Sequence, residues 1–293
     1  MKEKLSYRLL SHTILLLVTL AMILPMVLLF LSSVTDENVL INNGYSFFPA
    51  KFSLGAYQYI INYSEMIMRA YQTTILATFL GTTISIAITA MMSFAISNKG
   101  LPGRKLITFF IFFTMLFNGG LVPSYIMWTN FKVVDTIWAY VLPFLLTNGF
   151  SIILIRSYFE ANVPMEMYES AKIDGAGYFR IFWKIALPLG KPILITIGLF
   201  TCLAYWNDWL NGMYFINAPR LYSIQVLLNK MSANIQATLT YANYNINASD
   251  AVSVPQTSIR MAIAMIAVLP ILVVYPFLQK YFAEGIMLGA VKG

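Results

Sequence analysis

A chain of 293 residues with 59% hydrophobic residues, only 11% charged ones and a mean hydropathy of +0.71 is no ordinary soluble domain, where charged residues run to roughly a quarter. One core of this length cannot hide so much apolar surface, so lipid must cover much of it. The net charge of +7 comes without any run of basic residues interleaved with aromatics, which argues against a nucleic-acid surface and for membrane orientation as the use of that charge.

A bilayer core about 30 Å thick takes about 20 apolar helical residues to cross. In chain order, stretches of that scale lie at approximately 13–35, 70–98, 106–131, 136–158, 190–215 and 261–281. The expectation is an all-α membrane protein: one transmembrane domain over 1–293 with six transmembrane helices. Lys2, Lys4 and Arg8 ahead of the first stretch also suit a cleaved signal peptide. That stretch exceeds the usual apolar length of about 7–15 residues and no A-x-A site follows, so a retained span is expected. Within the third stretch, Asn118-Gly119-Gly120 followed by Pro123 reads as a bend or a close packing point. Cys202, the one cysteine, cannot form an internal disulfide and reads as a packing residue.

Orientation follows from charge, because lysine and arginine favour the cytoplasmic side. With the N-terminus inside, the N-terminal tail, the 98–105 loop, the 156–191 segment and the C-terminal tail hold 13 of the 19 basic residues. The predicted topology is therefore N-in, C-in. Two long external segments remain, roughly 36–69 and 217–258. The second is rich in amides and hydroxyls around Tyr241–Ser249, which suits contact with a soluble partner or polar ligand and equally a plain solvated loop. The sequons at Asn62 and Asn247 matter only in a secretory pathway.

Between the fourth and fifth spans the chain keeps a polar insert, 160–189. Its sequence predicts a helix that begins near Pro164 and carries Glu166 and Glu169 toward its positive end, then a turn at Asp174-Gly175. A second helix follows, in which Phe179, Phe182, Trp183 and Ala186 recur at i, i+3, i+4 and i+7 to build one apolar face. Pro188 is expected to stop that helix before the fifth span. Amphipathicity alone also fits a helix lying on the membrane surface, and Glu169 alone fits an i, i+3 pair with Lys172.

The fixed spacing of Glu169, Ala171, Asp174, Gly175 and Ala176, with Ile185-Ala186-Leu187-Pro188 ten residues on from the glycine, resembles the signature loop of importer-type ATP-binding-cassette (ABC) transporter permeases. Ser170 stands where that family usually has alanine, a departure of almost no size. Phe117–Tyr125, Ala204–Trp209 and Gly285–Gly293 look like the carbohydrate-uptake branch. They are most similar to the second permease of oligosaccharide and polysaccharide-fragment importers such as the alginate and maltose systems. The resemblance covers essentially the whole chain. It implies a cytoplasmic coupling helix between spans four and five, seated in an ATPase cleft through Glu169, Ala171, Asp174, Gly175, Ala176, Phe179, Phe182 and Pro188. It also implies a homologous second permease, two ATPase subunits that carry the ATP and magnesium, an extracytoplasmic solute-binding protein, a carbohydrate substrate and a bacterial cytoplasmic membrane. No catalysis and no cofactor are expected in this chain. It lacks a G-x-x-x-x-G-K-[ST] loop, and its single histidine, His12, has no metal-ligand companions.

If the substrate is a sugar, aromatic faces and amide or carboxylate edges form a natural contact set. Tyr205, Trp206, Asn207, Asp208, Trp209 and Asn211 offer one at the outer half of the fifth span. Asp208 is the only acid within a span, and intramembrane acids tend to face cavities or partners. An interfacial aspartate flanked by belt tryptophans is the competing reading. A permease for another polar solute and a stand-alone secondary transporter are the rival functions; against the second, the span centres lack ionisable groups.

Overall fold

The computed structural model describes residues 5–62, 64–233, 257–270, 272–273 and 276. The Tyr241–Ser249 stretch, the far part of the sixth span and the Gly285–Gly293 terminus lie outside these residues. Every regular element among them is helical, and the only extended pairing among them is one isolated bridge between Thr35 and Phe52. The chain divides into two compact units, one of residues 1–67 and 228–273, the other of 68–227 and 274–293.

The first unit holds α1 (Leu5–Ser33), α2 (Glu37–Asn43), α3 (Gly55–Ile61) and the helix Thr257–Pro270. Residues Leu9–Ser33 of α1 reach a mean hydropathy of 3.0, and the leucines and isoleucines from Leu9 to Leu24 are exposed. That combination suits lipid and not water. The segment after α1 is locally tied. Ser33 shares a hydroxyl hydrogen bond of 2.8 Å with Tyr57, and Lys51 pairs with Asp36 at 2.8 Å. Glu37 does more, taking hydrogen bonds from the Thr257 amide at 2.7 Å, the Ser258 amide at 2.8 Å and the Ser258 hydroxyl at 2.7 Å. Those amides open a helix, where a carboxylate also meets the positive end of the dipole.

The second unit is organised by α4 (Ser64–Ser97), which at 34 residues runs about 51 Å. Buried along it, at helical spacing, are Thr74, Thr78, Ser85, Thr89 and Ser93. Three other predicted spans are interrupted. The third is α5 (Arg104–Leu116) followed by α6 (Leu121–Asn130), bent by 117°. The anticipated bend at Asn118-Gly119-Gly120 is there: Gly120 takes φ +87, and the Asn118 side chain accepts its amide at 2.9 Å. The fourth is not one helix. It consists of α7 (Trp138–Val141), a non-helical stretch over 142–148 and α8 (Gly149–Asn162). Pro143 lacks the amide that would continue α7, and Asn148 caps α8 by accepting the Ser151 amide at 3.0 Å. The fifth is α12 (Lys191–Trp206), a break at 207–209 and α13 (Leu210–Phe215).

Thus α1 and α4 are each long and apolar enough to cross a bilayer. Two bent pairs, Arg104–Leu116 with Leu121–Asn130 and Tyr178–Leu189 with Lys191–Trp206, could make two more crossings.

The breaks in the fourth and fifth spans complete each other. The Tyr205 hydroxyl donates to the Val141 carbonyl at 2.9 Å, and the Asn211 side-chain amide donates to the Pro143 carbonyl at 3.0 Å. The Val141 carbonyl is one freed where α7 ends, and the Pro143 carbonyl, just beyond it, also accepts the Leu145 amide at 2.6 Å. Tyr140 extends the brace, donating to the Leu221 carbonyl at 3.0 Å and accepting the Ser223 amide at 2.9 Å. Small residues allow this closeness. A Cβ on Gly81 would strike the Tyr205 ring, and one on Gly212 would strike Val226 and Tyr140.

Asn211→Leu keeps the volume and removes one of two donors to the Pro143 carbonyl, which retains the Leu145 amide at 2.6 Å, so it should destabilise by about 0.5–1.5 kcal/mol. Thermal unfolding in detergent, followed by tryptophan fluorescence, checks this. Burial pushes the Glu37 carboxyl up, but the bonds from Ser258 and Thr257 outweigh it and hold the group below its ordinary 4.5. A depressed acid stabilises the fold fully above its ordinary value and ceases to do so as pH falls through the lowered one. Acidification should therefore lower the protection factors of the Thr257 and Ser258 amides, relative to their intrinsic exchange at the same pH, and Glu37→Gln should show low protection already at neutral pH.

Candidate functional site

The insert between the fourth and fifth spans folds as two helical pieces around a tight turn. The first, α9 (Met165–Ile173), has Pro164 at its cap, Glu166 in its first turn and Lys172 in its last, matching the helix dipole. It ends in a Schellman motif. Gly175 lies at φ +77, its amide bonds to the Lys172 carbonyl at 3.0 Å, and the Ala176 amide reaches back to the Ala171 carbonyl at 2.9 Å. The turn expected at Asp174-Gly175 is therefore built from glycine's freedom at positive φ. Glu169, Asp174 and Gly175 are exposed, and Ala171 and Ala176 are half-buried. Lys172 does not pair with Glu169 but lies over the Tyr178 ring, 4.8 Å from its centroid.

The second piece departs from the expected single apolar face. After α10 (Tyr178–Ile181) the chain widens into a π turn, Phe182–Ala186, and then continues as α11 (Leu187–Leu189). The wider turn rotates successive side chains less per residue than an α-helix does. Phe182 and Ala186 are thereby buried while Phe179 and Trp183 are exposed, Phe179 to 69%. Nor does Pro188 stop the helix. It sits exposed inside the continuing helical run, where a π turn relieves the clash of a proline ring with the preceding turn. The direction changes two residues later, at Gly190, by 81° into α12. Gly190 packs so tightly on Phe159 that a Cβ would overlap its ring.

What lies under the insert is a core shared with the spans. Phe182 and Ala186 pack with Ala90 of α4, Ile155 and Phe159 of α8, and Ile193, Leu194 and Ile197 of α12. Phe94 of α4 meets Tyr168 at 5.9 Å and Phe182 at 5.3 Å between ring centroids. Beside it, Glu160 accepts from both Arg104 and Arg156, and Arg104 also reaches the Ile96 carbonyl at 2.7 Å. Burial of the Tyr168 ring pushes its phenol up to about 12.

The six candidate contact residues of the fifth span are not presented together. Tyr205, Asp208 and Asn211 are buried, Trp206 is half-buried, and Asn207 and Trp209 are exposed. Tyr205 and Asn211 serve the brace. Asp208 accepts the Asn211 amide at 3.1 Å at the start of α13, and Asn207 returns its side chain to the Leu203 carbonyl at 2.9 Å.

A cleft that the sequence reading missed lies nearby. Ser85 and Thr89 of α4, Phe144 and Asn148 of the 142–148 stretch, Ser151 of α8, and Phe200 and Thr201 of α12 surround an open space of about 120 Å³, with Tyr205 on its wall. The signal was available as a hydroxyl at nearly every turn of an otherwise apolar helix, α4.

Residues 88–287 match the family model described as binding-protein-dependent transport system inner membrane component. The chain is 36% identical over 271 residues to Protein LplC of Bacillus subtilis (strain 168), covering 92% of this chain and 90% of that one. It is 33% identical over 296 residues to the polygalacturonan/rhamnogalacturonan transport system permease protein YtcP of the same organism, covering 100% of both. Among solved structures, a chain of a bacterial ABC transporter involved in the import of the acidic polysaccharide alginate superposes with a TM-score of 0.79. That match has 27% identity and covers 96% of this chain and 99% of the other. On the family match and the two full-length relatives, the chain belongs to the inner-membrane components of binding-protein-dependent transport systems.

Proposed function

We propose that this chain is the permease subunit of an ATP-driven carbohydrate importer, working with a homologous permease, two ATPase subunits and an extracytoplasmic solute-binding protein. It lies in the bacterial cytoplasmic membrane with six spans, N-in and C-in, and hydrolyses nothing itself. The interrupted fourth and fifth spans count as one crossing each, and the helix Thr257–Pro270 begins the sixth. Relatives whose names specify a substrate are saccharide transporters, and the aromatic and hydroxyl groups beside the fifth span suit such a solute.

The observation that carries the reading is the build of the insert. Its outer side offers Glu169, Asp174, Gly175 and the exposed ring of Phe179. Its inner side is fixed to three spans through Phe182 and Ala186. Burial of a phenylalanine such as Phe182 stabilises by about 1.5–3 kcal/mol, so the insert moves with the spans rather than swinging freely. In this role Glu169 meets a basic group of the ATPase, and Ala171 and Ala176 beside the Gly175 turn allow close approach of its backbone. Closure of the ATPase dimer around ATP then drives the insert, and the Gly190 corner passes that motion to α12. Pro188 keeps the preceding segment stiff. Tyr205 lines the solute path directly. Asp208 and Asn211 shape it by holding the break in place, leaving Trp206, Asn207 and Trp209 toward its outer end.

Glu169→Lys should abolish uptake while the chain still inserts in the membrane, as measured by transport assay and membrane fractionation; normal uptake in that variant would sink the docking role. Gly175→Val meets no neighbour within 4 Å but forces a branched residue to φ +77, a strain of about 1–3 kcal/mol. It should weaken co-purification of the ATPase with little change in the thermal stability of the spans, and full-strength co-purification with full transport would contradict the reading.

A further inference from the structure

We infer that the seam between the cytoplasmic ends of α5 and α8 binds the phosphate of an anionic phospholipid through Arg104 and Arg156. The inference rests on the N-in, C-in reading above, which puts these helix ends at the inner leaflet.

Helices α5 and α8 are packed neighbours. Ile111 and Ile152 share a small core with Ile96 of α4, and a Cβ on Gly149 would meet Met115 and the Ile111 carbonyl. At the end of that seam Glu160 binds both arginines through one oxygen, Oε1. One carboxylate cannot neutralise two guanidinium groups held so close together. Lys99 and Lys105 are exposed in the adjoining loop and first turn of α5, and Glu160 is the only acid in 98–105 or 149–162. The seam therefore ends in excess positive charge.

Hydrogen-bond donors are left over as well. A guanidinium has five N–H groups. Arg104 places Nε on the Ile96 carbonyl at 2.7 Å and Nη2 on Glu160, and Arg156 places Nε on Glu160 at 3.0 Å. Nη1 of Arg104 and both Nη of Arg156 have no hydrogen-bond partner among the described residues. The two side chains are 21% and 20% exposed, so these groups can be reached. Such planar forks match phosphate oxygens in pairs.

Along each helix the residues beside the arginines are apolar and uncovered. On α5, Leu106, Phe109, Phe110 and Phe113 recur at i, i+3, i+4 and i+7, and all four are exposed. On α8, Phe150 and Leu154 are exposed in the turns before Arg156. A phosphate at the arginines leaves acyl chains beside these side chains. An acidic patch on a soluble subunit would match the charge but not the apolar stripe. Basic pockets between membrane helices on the cytoplasmic side hold anionic headgroups for the same reason.

The test uses the transporter purified with its partner subunits in detergent and titrated with phosphatidylglycerol or phosphatidylcholine. Bound lipid is counted by native mass spectrometry. We expect preferential retention of phosphatidylglycerol. Arg156→Gln, which can still donate to Glu160, should weaken that retention about five-fold, one cationic contact being lost. Glu160→Gln should strengthen it by removing the competing carboxylate, whereas a merely structural ion pair predicts no gain in lipid; this variant keeps the test decisive if Arg156→Gln fails to assemble. Lys184→Gln, which removes an exposed cation of the insert, should leave retention unchanged. No preference for phosphatidylglycerol, equal weakening by Lys184→Gln, or weaker retention in Glu160→Gln overturns the lipid site and leaves the importer standing. The orientation is tested separately, with a membrane-impermeant maleimide on cells carrying Lys99→Cys. Labelling is expected only after permeabilisation, and reaction in intact cells overturns the orientation and this inference with it.

Discussion

Two side-chain hydrogen bonds hold the arrangement on which the rest depends, from Tyr205 to the Val141 carbonyl and from Asn211 to the Pro143 carbonyl. A helix interrupted inside a bilayer exposes carbonyls that lipid cannot satisfy, each at a cost of several kcal/mol. The predicted fourth span stops at Val141 and restarts at Gly149, and the predicted fifth brings the Tyr205 and Asn211 donors to that gap. The fifth span is broken in turn at 207–209, which sets Asn211 on α13 where it can reach Pro143. Glycines at 81 and 212 make room for the tyrosine rings involved. The brace and the cleft are thus one structure: the interruption that has to be braced is also what opens a polar space between helices.

The insert follows the same logic with apolar contacts. The π turn at Phe182–Ala186 splits the aromatics of the insert into a buried pair and an exposed pair. The buried residues join the insert to α4, α8 and α12, and the exposed ones leave aromatic rings on its outer side. Since α12 carries Phe200, Thr201 and Tyr205 along the cleft, one helix connects the proposed docking surface to the proposed solute path. A displacement at the Gly190 corner would be felt at both.

The parts written in local residue chemistry were legible in the sequence. Apolar length gave α1 and α4, the Gly120 bend was visible in Asn118-Gly119-Gly120, and the Gly175 turn was visible in Asp174-Gly175. The parts that depend on partners distant in sequence were not. Hydropathy cannot distinguish a continuous span from one broken at Pro143 and repaired by Tyr205, because both read as apolar. A 3.6-residue period predicts one face for Phe179, Phe182, Trp183 and Ala186, and it fails where the helix widens. Asp208 and Asn211 look like contact residues in sequence, and the structure buries both, with Asn211 bonded to the Pro143 carbonyl and Asp208 accepting the Asn211 amide. Ser85 and Thr89 do not stand out in sequence, because single hydroxyls in an apolar helix usually bond back to their own helix, as Thr74 and Ser93 do here.

The most direct measurement places a photo-crosslinking amino acid at Phe179, the exposed ring at the tip of the insert, and irradiates native membranes expressing the full-length chain. The product is identified by mass spectrometry. A single dominant adduct to an ATP-hydrolysing subunit is expected, lost when Glu169 is replaced by lysine. Crosslinks to lipid alone, with no ATPase adduct in membranes that support uptake, would make the insert a surface helix and contradict the account.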